Sequence, residues 1–358
     1  MTTSMTEKSP AASDRIAETF PSGEGRQHFA VLDGWRAASI LLVIAGHWLP
    51  LNAALPGAND AAGAGGMALF FTLSGFLITQ FMLKRPEPVS FLFRRVMRIV
   101  PLAWAAVLIL FLAAWWRGTE QADAAYLAAN LLFYGNLPPA HLFTGGDHLW
   151  SLAVEMHFYI GVALLVAIGG HKGLYLVPLL AATVTAARII AGETISIVTW
   201  YRVDEILAGA TLALVYFGAF GDKPQRWLAT MPVWVAVLLA LVCTWSIYSP
   251  LAYARPYAVA LMVGVTLYHL PRWLGHVLCS RPAAYIAQIS YALYVFHMML
   301  GTTWLGSGDT LEKYLKRPLL ALVTWAAAHV STFYYEQRFT DWARRLTNGG
   351  PARPLPTY

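Results

Sequence analysis

The stretch LDGWRAASILLVIAGHW, residues 32–48, holds an arginine near its start and a histidine near its end, with no charge between them. Its interior is apolar and its length approaches that of a bilayer span. Eleven helical residues turn through three revolutions plus about 20°, so Arg36 and His47 share one face, about 16 Å apart along the axis. Ionisable groups inside a span mark function by default. A plainer alternative stands beside this one. Arg36 would be a snorkelling anchor, with Asp33 as N-cap, and His47, next to Trp48 and Pro50, an interface residue.

The rest of the chain reads the same way. Of 358 residues 58% are hydrophobic and only 12% charged, about half the charged share of soluble domains; mean hydropathy is +0.52. Apolar segments recur from residue 37 to residue 335, which predicts an all-α, polytopic membrane helix bundle of one domain. Spans are expected near 32–50, 64–82, 99–116, 151–168, 174–191, 204–219, 231–248, 256–271, 283–305 and 318–336, about ten in all. The interval 125–137 is too short to cross and is expected at the interface or over the bundle. Residues 1–30, polar and without an apolar core, are expected to be a tail and not a signal peptide; 31–340 form the membrane domain and 341–358 a second tail. With the N-terminus cytoplasmic, 18 of the 25 Lys and Arg residues fall on inner segments. That bias predicts both termini in the cytoplasm. The outer segments keep Arg117, Arg188, Arg202, Arg255, Lys313, Lys316 and Arg317.

The net charge of +6 does not indicate nucleic-acid binding, because the basic residues sit in short clusters between apolar segments. Cys243 and Cys279 make no metal or disulfide pattern, and no metal site is expected.

Four further stretches carry candidate chemistry. FLFRRVMRIVP (91–101) places Arg94, Arg95 and Arg98 at the inner end of the third span, suited to a multiply charged phosphate ligand or serving only as a topology signal or anionic-lipid contact. DHLWSLAVEMHFY (147–159) puts Glu155 about two turns inside the fourth span, where a carboxylate needs a partner. His47 is the expected one, with a structural Glu–Arg or Glu–Tyr pair as the alternative; His148 and His157 are weaker candidates. ISYALYVFH (289–297) spaces Tyr291, Tyr294 and His297 as a stripe on one helix face, a site or an aromatic belt. In FFTLSGFLIT (70–79), Ser74 and Gly75 suit close helix packing, and the pattern is not a serine-hydrolase elbow. Glu336 and Arg338 are expected to form a local ion pair.

Taken in order from about residue 31 to residue 340, these five stretches resemble the acyltransferase 3 family of integral membrane acyltransferases. The resemblance includes that family's Arg/Lys-x10-His pattern, at Arg36 and His47. The chain departs from it at Met156–His157, where the family commonly has Glu-Gln, and in YYEQRF, which lacks the usual proline. No appended hydrolase domain is expected. The resemblance implies transfer of an acyl group, usually acetyl, from acyl-CoA to a hydroxyl of a glycan or lipid-linked saccharide, in the bacterial inner membrane. His47 and Glu155 would be catalytic. Arg36, Arg95 and Arg98, with Arg94, would hold the CoA phosphates, and Trp150, Tyr159, Tyr291, Tyr294, His297 and Ser74 would line the substrate path. Membrane lipid is the surrounding partner, and homo-oligomers are left open. The rival readings are a small acceptor such as a macrolide, or a transporter or flippase of lipid-linked glycans.

Overall fold

A computed structural model describes residues 24–348, and there the chain is mainly helical, without strands. The main helices are α1 (Glu24–Trp48), α2 (Ala58–Lys84), α3 (Pro88–Arg117), α4 (Trp150–Gly169), α5 (Val177–Ala191), α6 (Asp204–Tyr216), α7 (Val233–Trp245), α8 (Arg255–Tyr268), α9 (Arg281–Gly301), α10 (Thr310–Val330) and α11 (Gln337–Asn348). Helix α1 already begins at Glu24 and α11 runs to Asn348, so parts of both expected tails are helical. The remaining tail residues, 1–23 and 349–358, lie outside the described residues.

Among the described residues six segments are long and apolar enough to cross a membrane: Ala30–Trp48, Ala58–Lys84, Pro88–Arg117, Asp147–Ala191, Pro250–Tyr268 and Arg281–Gly301. The fourth has 45 residues, about 68 Å if straight and far more than one crossing needs. It breaks at Gly170, whose φ of 58° lies in the left-handed region that a side chain disfavours. After the break a short 3-10 turn folds back onto α4, so close that a Cβ at Gly173 would collide with the Leu165 carbonyl. The other expected spans fall short of this standard for visible reasons. Helices α6 and α7 have 13 residues each, about 20 Å against a hydrocarbon core of about 30 Å. With Asp222–Thr230, α7 makes a pair bent by 90°. Helix α10 starts with Glu312, Lys313, Lys316 and Arg317. The interval around 125–137 forms a short helix, Ala124–Leu131, capped by the Asp123 side chain and lying against α3.

Helix α2 is the centre of the bundle. It packs most extensively against α1 and α6 and touches α4, α7 and α8 as well. It supplies both core clusters, Met67, Phe71 and Ile78 to one and Leu69, Leu73 and Phe76 to the other. Lipid tails offer no hydrophobic drive between helices, so contact depends on small residues that let backbones approach. Gly75 of α2 and Gly209 of α6 meet in this way: a Cβ on Gly75 would collide with the Ile206 carbonyl, and one on Gly209 with that of Thr72. Toward α1, Gly66 sits under Ser39, whose hydroxyl donates to the Gly66 carbonyl at 2.9 Å. Large apolar side chains such as Trp116, Ile168 and Ile190 stand exposed around the outside, as expected for a lipid-facing surface.

Candidate active site

Two polar layers cross the apolar interior, one at each end of the face shared by Arg36 and His47. The inner layer gathers around Glu155 of α4, which is buried. Its Oε1 accepts a hydrogen bond from Ser74 Oγ at 2.6 Å and a second, very short one from the Tyr159 hydroxyl one turn along α4. The Ser74–Gly75 pair therefore divides its work: the glycine lets α6 approach, and the serine holds a carboxylate. Arg36 lies within electrostatic reach of Asp33, Arg95, Arg98 and Glu155. The Arg95 guanidinium stands 5.8 Å over the Tyr159 ring and 5.7 Å over that of Phe91. Arg98 also neighbours Glu336. Among the described residues, Arg36, Arg95 and Arg98 make no ion pair. Three arginines come together with carboxylates in electrostatic reach but, among the described residues, none in ion-pair contact.

The outer layer is built on histidines. His47 Nδ1 lies 3.2 Å from His297 Nε2, and the two ring centres are 5.1 Å apart. His148 packs edge-on against His297 at 4.9 Å. Tyr294 ties the layer together, donating its hydroxyl to the His148 carbonyl at 2.5 Å and meeting Ser151 Oγ at 2.6 Å. His297 is buried, whereas His47 is exposed on its free side. A narrow crevice joins the layers, lined by Arg36, Ser39, Ile40 and Val43 of α1, Met67 and Phe70 of α2, and Ser290 and Tyr294 of α9. On α1 these positions, 36, 39, 40, 43 and then 47, follow one helical stripe. Arg36 thus turns toward the crevice, while His47, one turn past Val43 on the same stripe, meets His297 beyond the crevice lining.

Several expectations need correction. Glu155 does not partner His47. It lies one turn beyond Ser151, whose hydroxyl contacts the histidine layer through Tyr294, and a turn of about 5.4 Å is enough to place it with the arginines instead. Its partners are Ser74 and Tyr159, the Glu–Tyr alternative. Arg94 leaves the cluster, because one residue is a 100° turn from Arg95; its Nε donates to Thr347 Oγ1 of α11 at 2.7 Å and its guanidinium sits over Phe81. Tyr291 leaves the stripe and donates to the Ile99 carbonyl of α3 at 2.6 Å, so α9 lines the crevice with Ser290 and Tyr294. Glu336 accepts from Ser331 Oγ at 2.8 Å within a π-helical turn and does not pair with Arg338. Trp150 stands beside the site, under the Arg202 guanidinium at 5.5 Å and edge-on to Phe71.

Sequence reasoning also undervalued one feature and missed another. His148 belongs fully to the outer layer. Arg188, Arg202 and Arg255, counted as outer loop charges, are buried in ion pairs with Asp204 and Glu205: Arg255 Nε meets Glu205 Oε1 at 2.8 Å, Arg202 Nη2 meets Glu205 Oε2 at 3.4 Å, and Arg188 contacts Asp204 closely. The signal was present, since Arg202 and Glu205 stand at i and i+3. Among the described residues no group of His, Cys, Asp and Glu is arranged to hold a metal ion.

The family model described as an acyltransferase domain, acyltransferase 3, matches residues 29–336. The chain is 26% identical over 307 residues to the putative membrane-bound transacylase BcsY of Komagataeibacter xylinus, covering 78% of this chain and 73% of that one. It is 26% identical over 374 residues to the putative peptidoglycan O-acetyltransferase YrhL of Bacillus subtilis (strain 168), covering 88% and 56%, and 25% identical over 312 residues to the peptidoglycan O-acetyltransferase OatA of Listeria monocytogenes, covering 76% and 49%. It spans about half the length of these two O-acetyltransferases. No solved structure matches the chain. With the family model running from residue 29, within the Arg36–His47 helix, to Glu336, and so across every residue of the two polar layers, the chain belongs to the acyltransferase 3 family.

Proposed function

We propose that this chain is a membrane O-acyltransferase that moves an acyl group, acetyl in the simplest case, from cytoplasmic acyl-CoA to a hydroxyl of a glycan or lipid-linked saccharide. The observation that carries this reading is the arrangement of the two layers along one side of α1: three guanidinium groups without ion pairs among the described residues lie at one end, the exposed His47 lies at the other, and a crevice reaching from Arg36 to Tyr294 lies between them. Phosphates suit the first, since arginine grips them in a bidentate manner. The crevice between is mostly apolar, as a neutral pantetheine arm would require, and would have to widen to admit it. The thioester supplies an activated acyl carbon. His47 would then take the proton of the acceptor hydroxyl as that oxygen attacks. Glu155 would act on the donor side through Tyr159, which donates to it and whose ring lies under the Arg95 guanidinium.

The same reading assigns the protein to the bacterial inner membrane, crossing it about ten times with both termini in the cytoplasm. That topology sets Arg36, Arg95 and Arg98 at the surface where acyl-CoA is made. The three buried outer arginines no longer count as loop charges, which strengthens the inner excess of Lys and Arg. Relatives named as peptidoglycan O-acetyltransferases support a glycan acceptor.

The test is acetyl transfer from labelled acetyl-CoA in membranes that contain the native acceptor. His47→Ala is expected to lower incorporation by about 10²–10⁴-fold, and surface polysaccharide from cells lacking the protein should lose acetyl groups. Wild-type incorporation by the variant would remove His47 from the reaction. Label recovered in a small soluble molecule would move the acceptor class to compounds such as macrolides.

A further inference from the structure

The hydrogen bonds of the histidine layer determine where each proton sits. His297 Nδ1 lies 2.6 Å from the Tyr294 carbonyl. A carbonyl only accepts, so this nitrogen carries hydrogen, and in the neutral ring Nε2 is left with its lone pair. That lone pair faces His47 Nδ1 at 3.2 Å, so His47 is the donor and carries its hydrogen on Nδ1. The Val43 carbonyl, one turn back on α1, also neighbours the His47 ring. Since Nδ1 is the ring nitrogen nearer the backbone, that contact too favours hydrogen there. His47 Nε2, the remaining nitrogen, keeps its lone pair.

His297 has little freedom to do otherwise. It is fully buried, and its ring is boxed by His47 and Trp48 of α1, His148 before α4, and Tyr294 of its own helix. His148 Nε2 points at the Val295 carbonyl at 3.1 Å and must donate there, so it offers His297 no hydrogen from that nitrogen. Tyr294 in turn is fixed by its bond to the His148 carbonyl and by Ser151, which must be the donor between the two hydroxyls. No carboxylate among the described residues contacts His47, His148 or His297. A neutral imidazole occupies the place that a carboxylate takes in the familiar serine-protease arrangement.

We propose that His297 is the positioning residue for His47: pinned through Nδ1–H on the Tyr294 carbonyl, it accepts from His47 Nδ1–H and thereby presents the His47 Nε2 lone pair to the acceptor hydroxyl. The proposal rests on the acyl-transfer reading of His47. In the reaction the hydroxyl proton passes to His47 Nε2 while the C–O bond forms; the C–S bond breaks and the thiolate takes that proton. The Nδ1 hydrogen stays on His47 throughout, bonded to His297, which steadies the transient imidazolium.

The test uses the full chain in lipid nanodiscs with 15N-labelled histidine, the two residues assigned by difference spectra against His47→Gln and His297→Gln. Nitrogen shifts should show His47 protonated on Nδ1 with a bare Nε2; a His47 protonated on Nε2 overturns the proposal, whatever the activity. In labelled acetyl-CoA transfer, His297→Phe should lower kcat about 10–100-fold, in line with removal of an orienting partner, with KM for acetyl-CoA unchanged. His297→Gln, whose carbonyl oxygen can accept from Nδ1–H, should recover part of that loss. Equal activity in the two variants, or a change confined to KM, overturns it. If His47→Ala keeps activity, the acyl-transfer reading fails instead, and the spectra still decide which tautomer His297 imposes. If His297→Phe does not fold, the wild-type spectra and His297→Gln decide the matter alone.

Discussion

Two groups of arginines lie inside this bundle, and they are built in opposite ways. Arg36, Arg95 and Arg98 sit close together between α1, α3 and α4, with no ion pair among the described residues. Arg188, Arg202 and Arg255 lie on and beside α5, α6 and α8, and each is tied to Asp204 or Glu205 with almost no exposure. Burying a charge is costly unless it is paired, so the second group has compensation built in, whereas the first has none among the described residues and, on the proposed function, would gain it from a ligand's phosphates. An arginine in an apolar setting therefore says little until its partner is known. The aromatic contacts make the same distinction: Arg202 covers Trp150, stacking on top of an existing ion pair, while Arg95 has the rings of Tyr159 and Phe91 as its close contacts.

The sharpest way to break this comparison is to remove one carboxylate from the paired group. Glu205→Ala strands both Arg202 and Arg255 in the interior and is expected to cost about 3–5 kcal/mol, read as a large drop in melting temperature and loss of folded protein in detergent. A variant with wild-type stability would mean that water or lipid already serves those arginines. Next in size, Arg95→Ala with Arg98→Ala should raise KM for acetyl-CoA about 10–100-fold, equivalent to about 1.4–2.7 kcal/mol. The acceptor KM and the melting temperature should stay near wild type. A stability loss as large as that of Glu205→Ala would turn the inner arginines into structural residues. The smallest effect belongs to Arg94→Ala, which removes a partly exposed contact to Thr347 and should change stability by no more than about 0.5 kcal/mol. Its KM should not move, since Arg94 points away from the layer formed by its neighbour in sequence.

Much of the candidate site is legible in the amino-acid sequence. The stripe on α1 follows from helical geometry alone, because residues eleven apart return to one face whatever surrounds them. The divergence of Arg94 from Arg95 follows from the same rule, but which of the two turns inward does not. The pairing of Glu155 does not. Knowing that it sits two turns inside α4 does not tell how far α4 is slid along α1, and one turn of offset exchanges the histidine layer for the arginine layer. His148 is undervalued for a related reason: it precedes α4 in a 3-10 turn, where helical face arithmetic does not apply. The role of Ser74 is hidden because the glycine beside it explains the small-residue pair completely, and only the approach of α4 on the other side reveals the hydroxyl's partner.

The sequence by itself determined that this chain is a helical membrane protein, that a cation and an imidazole share one face of its first span, and which residues carry polar chemistry within apolar runs. These are properties of composition and periodicity, local to each helix. Tertiary structure alone decided the partners: Glu155 with Ser74 and Tyr159, His47 with His297, and the outer arginines with Asp204 and Glu205. The physical reason is that partner choice depends on the axial offset between packed helices. That offset is set by where small residues such as Gly66, Gly75 and Gly209 let backbones come together, a property of pairs of helices that no single helix contains.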